Sequence, residues 1–236
     1  MTPTHTESRL TDLVTVRDWL RYGVSRFRSE HLVFGHGTST AVDEAAFLIL
    51  SALELPIDEL EPWLDCRLTG GERFRIAELI DARVTTRKPA PYLVNRAYIR
   101  GRGFYVDERV IVPRSYIGEL LDGGLESVVP DPEAVTSVLD LCTGSGCLAI
   151  LAALTYPNAI VDAVDLSDDA LAVAKRNVAD YELEDRVTLQ KSDLFSALGG
   201  RRYDLIISNP PYVAADTVSA FPPEYRAEPV MAHAGG

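Results

Sequence analysis

Cysteine, histidine and long apolar runs are all scarce in this chain. Three cysteines in 236 residues leave one unpaired in any disulfide framework, and Cys66, Cys142 and Cys147 show no paired zinc spacing. Small buried thiols are the expected reading for all three, and no metal centre is expected. The apolar runs Phe47 to Leu50 and Leu148 to Leu154 fall far short of the roughly 20 residues that span a bilayer. The start, Met1-Thr-Pro-Thr-His-Thr-Glu7, lacks the basic and apolar regions of a secretory leader, so cytoplasm is the expected address. Basic residues are outnumbered, 23 Lys and Arg against 35 Asp and Glu, for a net charge of −12. Such a chain gains nothing from a phosphate backbone, so direct nucleic-acid binding is not expected. A basic protein partner would suit the charge, but on charge alone acidity that merely keeps the protein soluble is the better account.

The remaining composition, 47% hydrophobic and 25% charged, is that of a globular domain, and no repeat or low-complexity tract interrupts it. Residues 1–88 read as a helical bundle. Leu13, Val16, Trp19, Leu20, Val24 and Phe27 recur at helical spacing. Thr40 before Asp43 and Glu44 reads as an N-cap, and Thr69 with Glu72 as a capping box. Pro89 and Pro91 end that pattern. Residues 89–114 read as a β-hairpin linker, with β-type runs from Tyr92 to Val112 around Gly101 and Gly103. A helix is expected near Ser115. Within 115–236 the strand candidates are Val138 to Leu141, Ile160 to Asp165, Val187 to Gln190 and Leu205 to Ser208. Helical stretches at Leu148 to Leu154 and Asp169 to Asp180 separate the first three. This alternation predicts an α/β fold, a parallel sheet with helices on both faces. Ala234-Gly235-Gly236 is an abrupt finish for such a sheet, and the chain reads as a fragment of a longer protein.

Asp140-Leu-Cys142-Thr143-Gly144-Ser145-Gly146 lies where the first strand gives way to a helix. Glycine lets a ligand approach the backbone there, in the crevice at the carboxyl ends of the strands. Ala149 stands where a dinucleotide fingerprint needs a third glycine, and Cys147 where a Walker lysine would be. Asp165 ends the second strand, where a carboxylate can accept both hydroxyls of a ribose, with Leu166 beside it. Asp193, followed by Leu194, could accept from an adenine amino group while the leucine packs on the ring, or it could cap a helix.

Asn209-Pro210-Pro211-Tyr212 follows the fourth strand at the same end of the sheet. Two prolines remove two N–H donors and leave carbonyl acceptors, Asn209 adds a side-chain acceptor, and Tyr212 adds a flat face. An NH₂ group conjugated to a carbonyl or an aromatic ring is a poor nucleophile. Two prealigned acceptors on its hydrogens would hold it and stabilise the positive charge that develops on attack at a methyl sulfonium. No base is needed before that attack, and no histidine stands near this stretch in the sequence. His31 and His36 are expected at the surface or in caps. Trp19 and Phe27 are expected in the core. Arg114 either contacts substrate or pins the hairpin.

On these residues the chain resembles the protein-glutamine methyltransferases that use an Asn-Pro-Pro-Tyr site. The stretches Phe104 to Glu119, Pro91 to Asn95 and Asp140 to Cys147 are similar to the branch acting on large-subunit ribosomal protein L-three. The release-factor branch is expected to carry Pro-Arg-Pro where this chain has Pro113-Arg114-Ser115. The resemblance implies a Rossmann-like catalytic domain that binds S-adenosylmethionine (SAM), a helical domain that recognises substrate, and further C-terminal strands missing here. It implies Thr143 to Gly146 at the methionine end, Asp165 at the ribose, Asp193 and Leu194 at the adenine, and Asn209 to Tyr212 at the glutamine amide, with Asp140, Cys142, Leu166 and Asn209 also among the cofactor-binding residues. Competing readings are a release factor as acceptor, an amino group of a nucleic-acid base, and a SAM-binding assembly module without turnover.

Overall fold

A computed structural model describes residues 12–123, 125 and 128–235. The polar start Met1 to Glu7 and the final Gly236 lie outside the described residues. The chain divides into two compact units, one built from the described part of Met1–Val94 with Pro222–Tyr225, the other from Asn95–Phe221 with Arg226–Gly236.

The first unit is helical: α1 (Val16–Ser29), α2 (Ala41–Ala52), α3 (Gly70–Thr86) and α4 (Ala90–Val94). Thr40 accepts the Asp43 N–H at 3.1 Å. Thr69 and Glu72 complete their capping box, and Thr15 with Asp18 forms one at the start of α1 that the sequence reading passed over. Trp19 and Phe27 are buried. Pro91 falls inside α4 rather than ending the helical pattern, because the first turn of a helix has no use for a proline N–H. Arg83 and Glu44 form a fully buried ion pair, Nε to Oε1, at 2.6 Å. Arg83 also donates to the carbonyls of Val33 and Arg87, and Thr38 donates to Glu44. Those added bonds offset the cost of taking two charges out of water. Pro222–Tyr225 returns to this unit, where Glu224 accepts from the Val33 N–H and from Arg87. The Tyr225 ring packs against His36 at a tilt, with ring centroids 4.2 Å apart. His36 is therefore buried and not at the surface, covered by a residue distant in sequence.

The second unit begins with the antiparallel pair β1 (Ala97–Ile99) and β2 (Arg102–Phe104). Arg100 and Gly101 both take positive φ at its two-residue turn, the geometry that matches strand twist. The hairpin is shorter than expected. Val110 and Val112 are buried in non-strand backbone, so their β-branched run reflects burial and not ladder pairing. Ser115 caps α5 (Tyr116–Asp122). Then follow β3 (Ser137–Leu141), α6 (Cys147–Thr155), β4 (Ile160–Asp165), α7 (Asp168–Asp180), β5 (Val187–Lys191), β6 (Leu205–Ser208) and α8 (Ala215–Ser219). The strand order is β5-β4-β3-β6, all parallel. One face packs Val138, Val161, Ala163, Val187 and Ile207 against α6, Val178 of α7, and Phe104 of the hairpin. The other face, Leu139, Leu141 and Val164, is closed by Leu198 and Tyr203. Helices thus cover one face among the described residues, not both, since the β5–β6 connection, residues 192–204, forms turns and no helix. Among the described residues no helix is long and apolar enough to cross a membrane.

Candidate functional site

Four consecutive strand ends converge on one cavity of about 560 Å³. Its walls include Cys142 and Gly144 after β3, Asp165 to Ser167 after β4, Ser192 to Leu194 after β5, and Asn209 to Pro211 after β6. The chain adds β4 and β5 on one side of β3 and then places β6 on the other. That reversal opens a crevice at the carboxyl ends of the strands.

Asp165 organises the floor. Its Oδ2 accepts the Gly144 N–H and its Oδ1 the Ser167 N–H, both at 2.9 Å. A carboxylate offers about four acceptor positions, so capacity remains for a ligand. Behind the loop, Asp140 is wholly buried and accepts from Thr143 Oγ1 at 2.5 Å. Burial pushes the Asp140 carboxyl up to about 7. Gly146 has φ +79°, and a Cβ there would stand 3.0 Å from the Ala174 Cβ, so glycine permits the close approach of α6 and α7. Asp140, Thr143, Ser145 and Gly146 are not among the cavity walls; Cys142 and Gly144 are. Asn177, buried on α7, was missed. It accepts the Tyr105 N–H and donates to the carbonyls of Tyr105 and Ser145, fastening the linker and the glycine loop together.

Leu194 takes φ +47° and is 52% exposed, an apolar plate on the cavity. Ser192 Oγ donates to the Leu194 carbonyl at 2.6 Å. Asp193 is exposed, and no helix follows it, so the capping alternative lapses. Burial raises the Cys142 thiol, helped by Asp165, Asp140 and Asp193, and pushes Cys147 up to about 12. Both thiols stay protonated near neutrality. Cys66 is exposed rather than buried.

A second cavity, of about 320 Å³, shares Ile111, Asn209, Pro210, Pro211 and Ala232 with the first. Arg114, Tyr116, Tyr212 and His233 are among its own walls. Tyr212 is 80% exposed. Asn209 to Pro211 therefore form a wall common to two cavities. Sequence reasoning missed Ile111 and the stretch from Pro229 to Gly235, which carries no recognisable motif to mark it. It also placed no histidine near the tetrapeptide, whereas folding brings His233 to the second cavity.

Residues 121–221 match the methyltransferase small domain family. The ribosomal protein uL3 glutamine methyltransferase of Bradyrhizobium diazoefficiens is 58% identical over 231 residues, covering 95% of this chain and 72% of that protein. Its counterpart in Burkholderia pseudomallei is 57% identical over 233 residues, covering 96% and 76%. The chain belongs to the ribosomal protein uL3 glutamine methyltransferase family. A third member, from Bordetella pertussis, is 56% identical over 225 residues, covering 95% of this chain and 76% of its own length.

Proposed function

We propose that this protein methylates a glutamine side-chain amide of ribosomal protein uL3 with SAM as donor, in the cytoplasm. The observation that carries this reading is the common wall: Asn209, Pro210 and Pro211 border both a cavity sized for a cofactor and a smaller one. A volume of about 560 Å³ lies within the roughly 300–1,000 Å³ of small-molecule sites.

The residues present fit SAM. Asp165 would take the ribose hydroxyls, Asp193 the adenine amino group and Leu194 its ring, with Cys142, Gly144 and Leu166 along the remaining wall. Asp140, Thr143, Ser145 and Gly146 would act from behind by shaping the loop. When bound, SAM supplies a sulfonium methyl group that a nucleophile can attack. Asn209 Oδ1 and the Pro210 carbonyl would each accept one hydrogen of the glutamine NH₂, fixing its plane and its lone pair. Pro211 stiffens that wall, and Tyr212 offers its ring to the acceptor's aliphatic stem. Acceptors held in place before the reaction stabilise charge developing on nitrogen without reorganisation. The proton leaves after transfer, once the nitrogen has become acidic.

The test is intact-mass analysis with SAM and three acceptors: uL3, a release factor and unmethylated DNA. One methyl group on uL3 alone, mapped to a glutamine, is expected. Transfer to the release factor alone would overturn the acceptor, and cofactor binding without any transfer would overturn the activity.

A further inference from the structure

We propose that Glu228 is a positioning residue for the Asn209–Tyr212 wall, acting through Arg114 and through the backbone of segment 229–235. The inference rests on the reading of that wall as the holder of the acceptor amide.

The Glu228 side chain is wholly buried. Glutamate is almost never buried unless paired. Here Oε1 accepts the Val112 N–H at 2.9 Å and Arg114 Nη1 at 2.6 Å, while Oε2 accepts Arg114 Nη2 at 2.8 Å. His233 Nε2 lies 3.0 Å from Oε2. A guanidinium fork on a carboxylate fixes orientation as well as distance.

Two pieces of the site meet at this group. Residues 110–114 place Ile111 in both cavities and Arg114 in the second. Segment 229–235 runs along the tetrapeptide. The Val213 N–H donates to the His233 carbonyl at 2.9 Å, and the Gly235 N–H donates to the Val213 carbonyl at 3.0 Å. Gly235 is so close that a Cβ would stand 2.5 Å from the Pro211 carbonyl oxygen. The wall is thus held beside this segment by two backbone hydrogen bonds at Val213 and one tight contact at Pro211, and Glu228 joins the start of the segment to residues 112–114. Glu228 is not among the walls of the larger cavity, where Asp165, Gly144 and Asp193 lie. Displacement of a reacting group by about 1 Å can cost about 100-fold in rate. The clamp therefore affects turnover more than cofactor binding.

The experiment measures kcat with uL3 as acceptor and SAM affinity by calorimetry, for the parent chain and for Glu228→Gln, Arg114→Gln and the double variant. Glu228→Gln keeps the shape and one acceptor but removes the charge facing Arg114. The expected result is kcat lower by ~10-fold or more with SAM affinity within ~3-fold, and a double variant no worse than the poorer single one, as for residues acting as one unit. Parent kcat in Glu228→Gln, or kcat and affinity falling together, would overturn the proposal. Gly235→Ala tests the same clamp with the ion pair intact. Its kcat is expected to fall as in Glu228→Gln, and it decides the matter if Glu228→Gln does not fold; parent kcat there overturns the proposal. A parent chain that methylates nothing contradicts the underlying reading and needs no variant to be recognised.

Discussion

The Asp165 carboxylate accepts the Gly144 N–H at 2.9 Å, so the acid that ends β4 and the glycine loop that follows β3 form a single structure. The acid is thereby held toward the cavity, and the loop is held in place by the acid.

Asp165→Ala is expected to weaken SAM binding by at least about 100-fold. Two hydrogen bonds to a charged acceptor are worth about 1.5–3 kcal/mol each, and the freed Gly144 loop would add to the loss. Calorimetry on the full chain measures this, and unchanged affinity would remove Asp165 from the cofactor site.

Asp140 gives the folded state a pH dependence. Its carboxyl rises from 3.8 to about 7 through burial, with the Thr143 hydrogen bond opposing the shift. Between those values the folded chain holds a proton that the unfolded chain has released, so stability falls as pH rises through the window. Asp140→Asn does not titrate. The Tm of the variant relative to the parent is expected to improve by several degrees from about pH 4 to about pH 8. A difference that stays flat across that range would contradict the assignment.

Much of this arrangement is legible in the sequence. All four sheet strands fall within one residue of their expected bounds, because apolar runs closed by Gly, Asp or Asn mark strand ends sharply. The tetrapeptide and the acids at the strand ends fall on one cavity because parallel strands carry all their carboxyl ends to one side. What stayed hidden depends on contacts distant in sequence. Nothing local says that Tyr225 covers His36, that Asn177 holds the Ser145 carbonyl, or that Glu228 meets Arg114. The valines at 110 and 112 were misread because a buried loop and a strand draw on the same residues.

Asn177→Ala should destabilise the second unit by about 3 kcal/mol. It leaves the Tyr105 N–H and the Ser145 carbonyl without their buried partner, at about 1–3 kcal/mol for each orphaned group. For a chain of this size the Tm loss would be roughly 6–12 °C. A loss below about 2 °C would show that water replaces the amide.

Glu44→Gln should cost the helical unit about 3–5 kcal/mol by leaving Arg83 buried and uncompensated. Hydrogen exchange read over residues 12–94 tests this. Protection there should collapse, and protection as in the parent would show that Arg83 finds another partner.

The most direct measurement is Asn209→Ala assayed for methyl transfer to uL3 and for SAM affinity in the same preparation. Removal of one of the two acceptors on the amide is expected to abolish transfer while affinity stays within ~3-fold, since Asp165, Asp193 and Leu194 remain in place. Transfer that persists near the parent rate, or transfer and affinity lost together, would contradict the assignment of Asn209 to the acceptor.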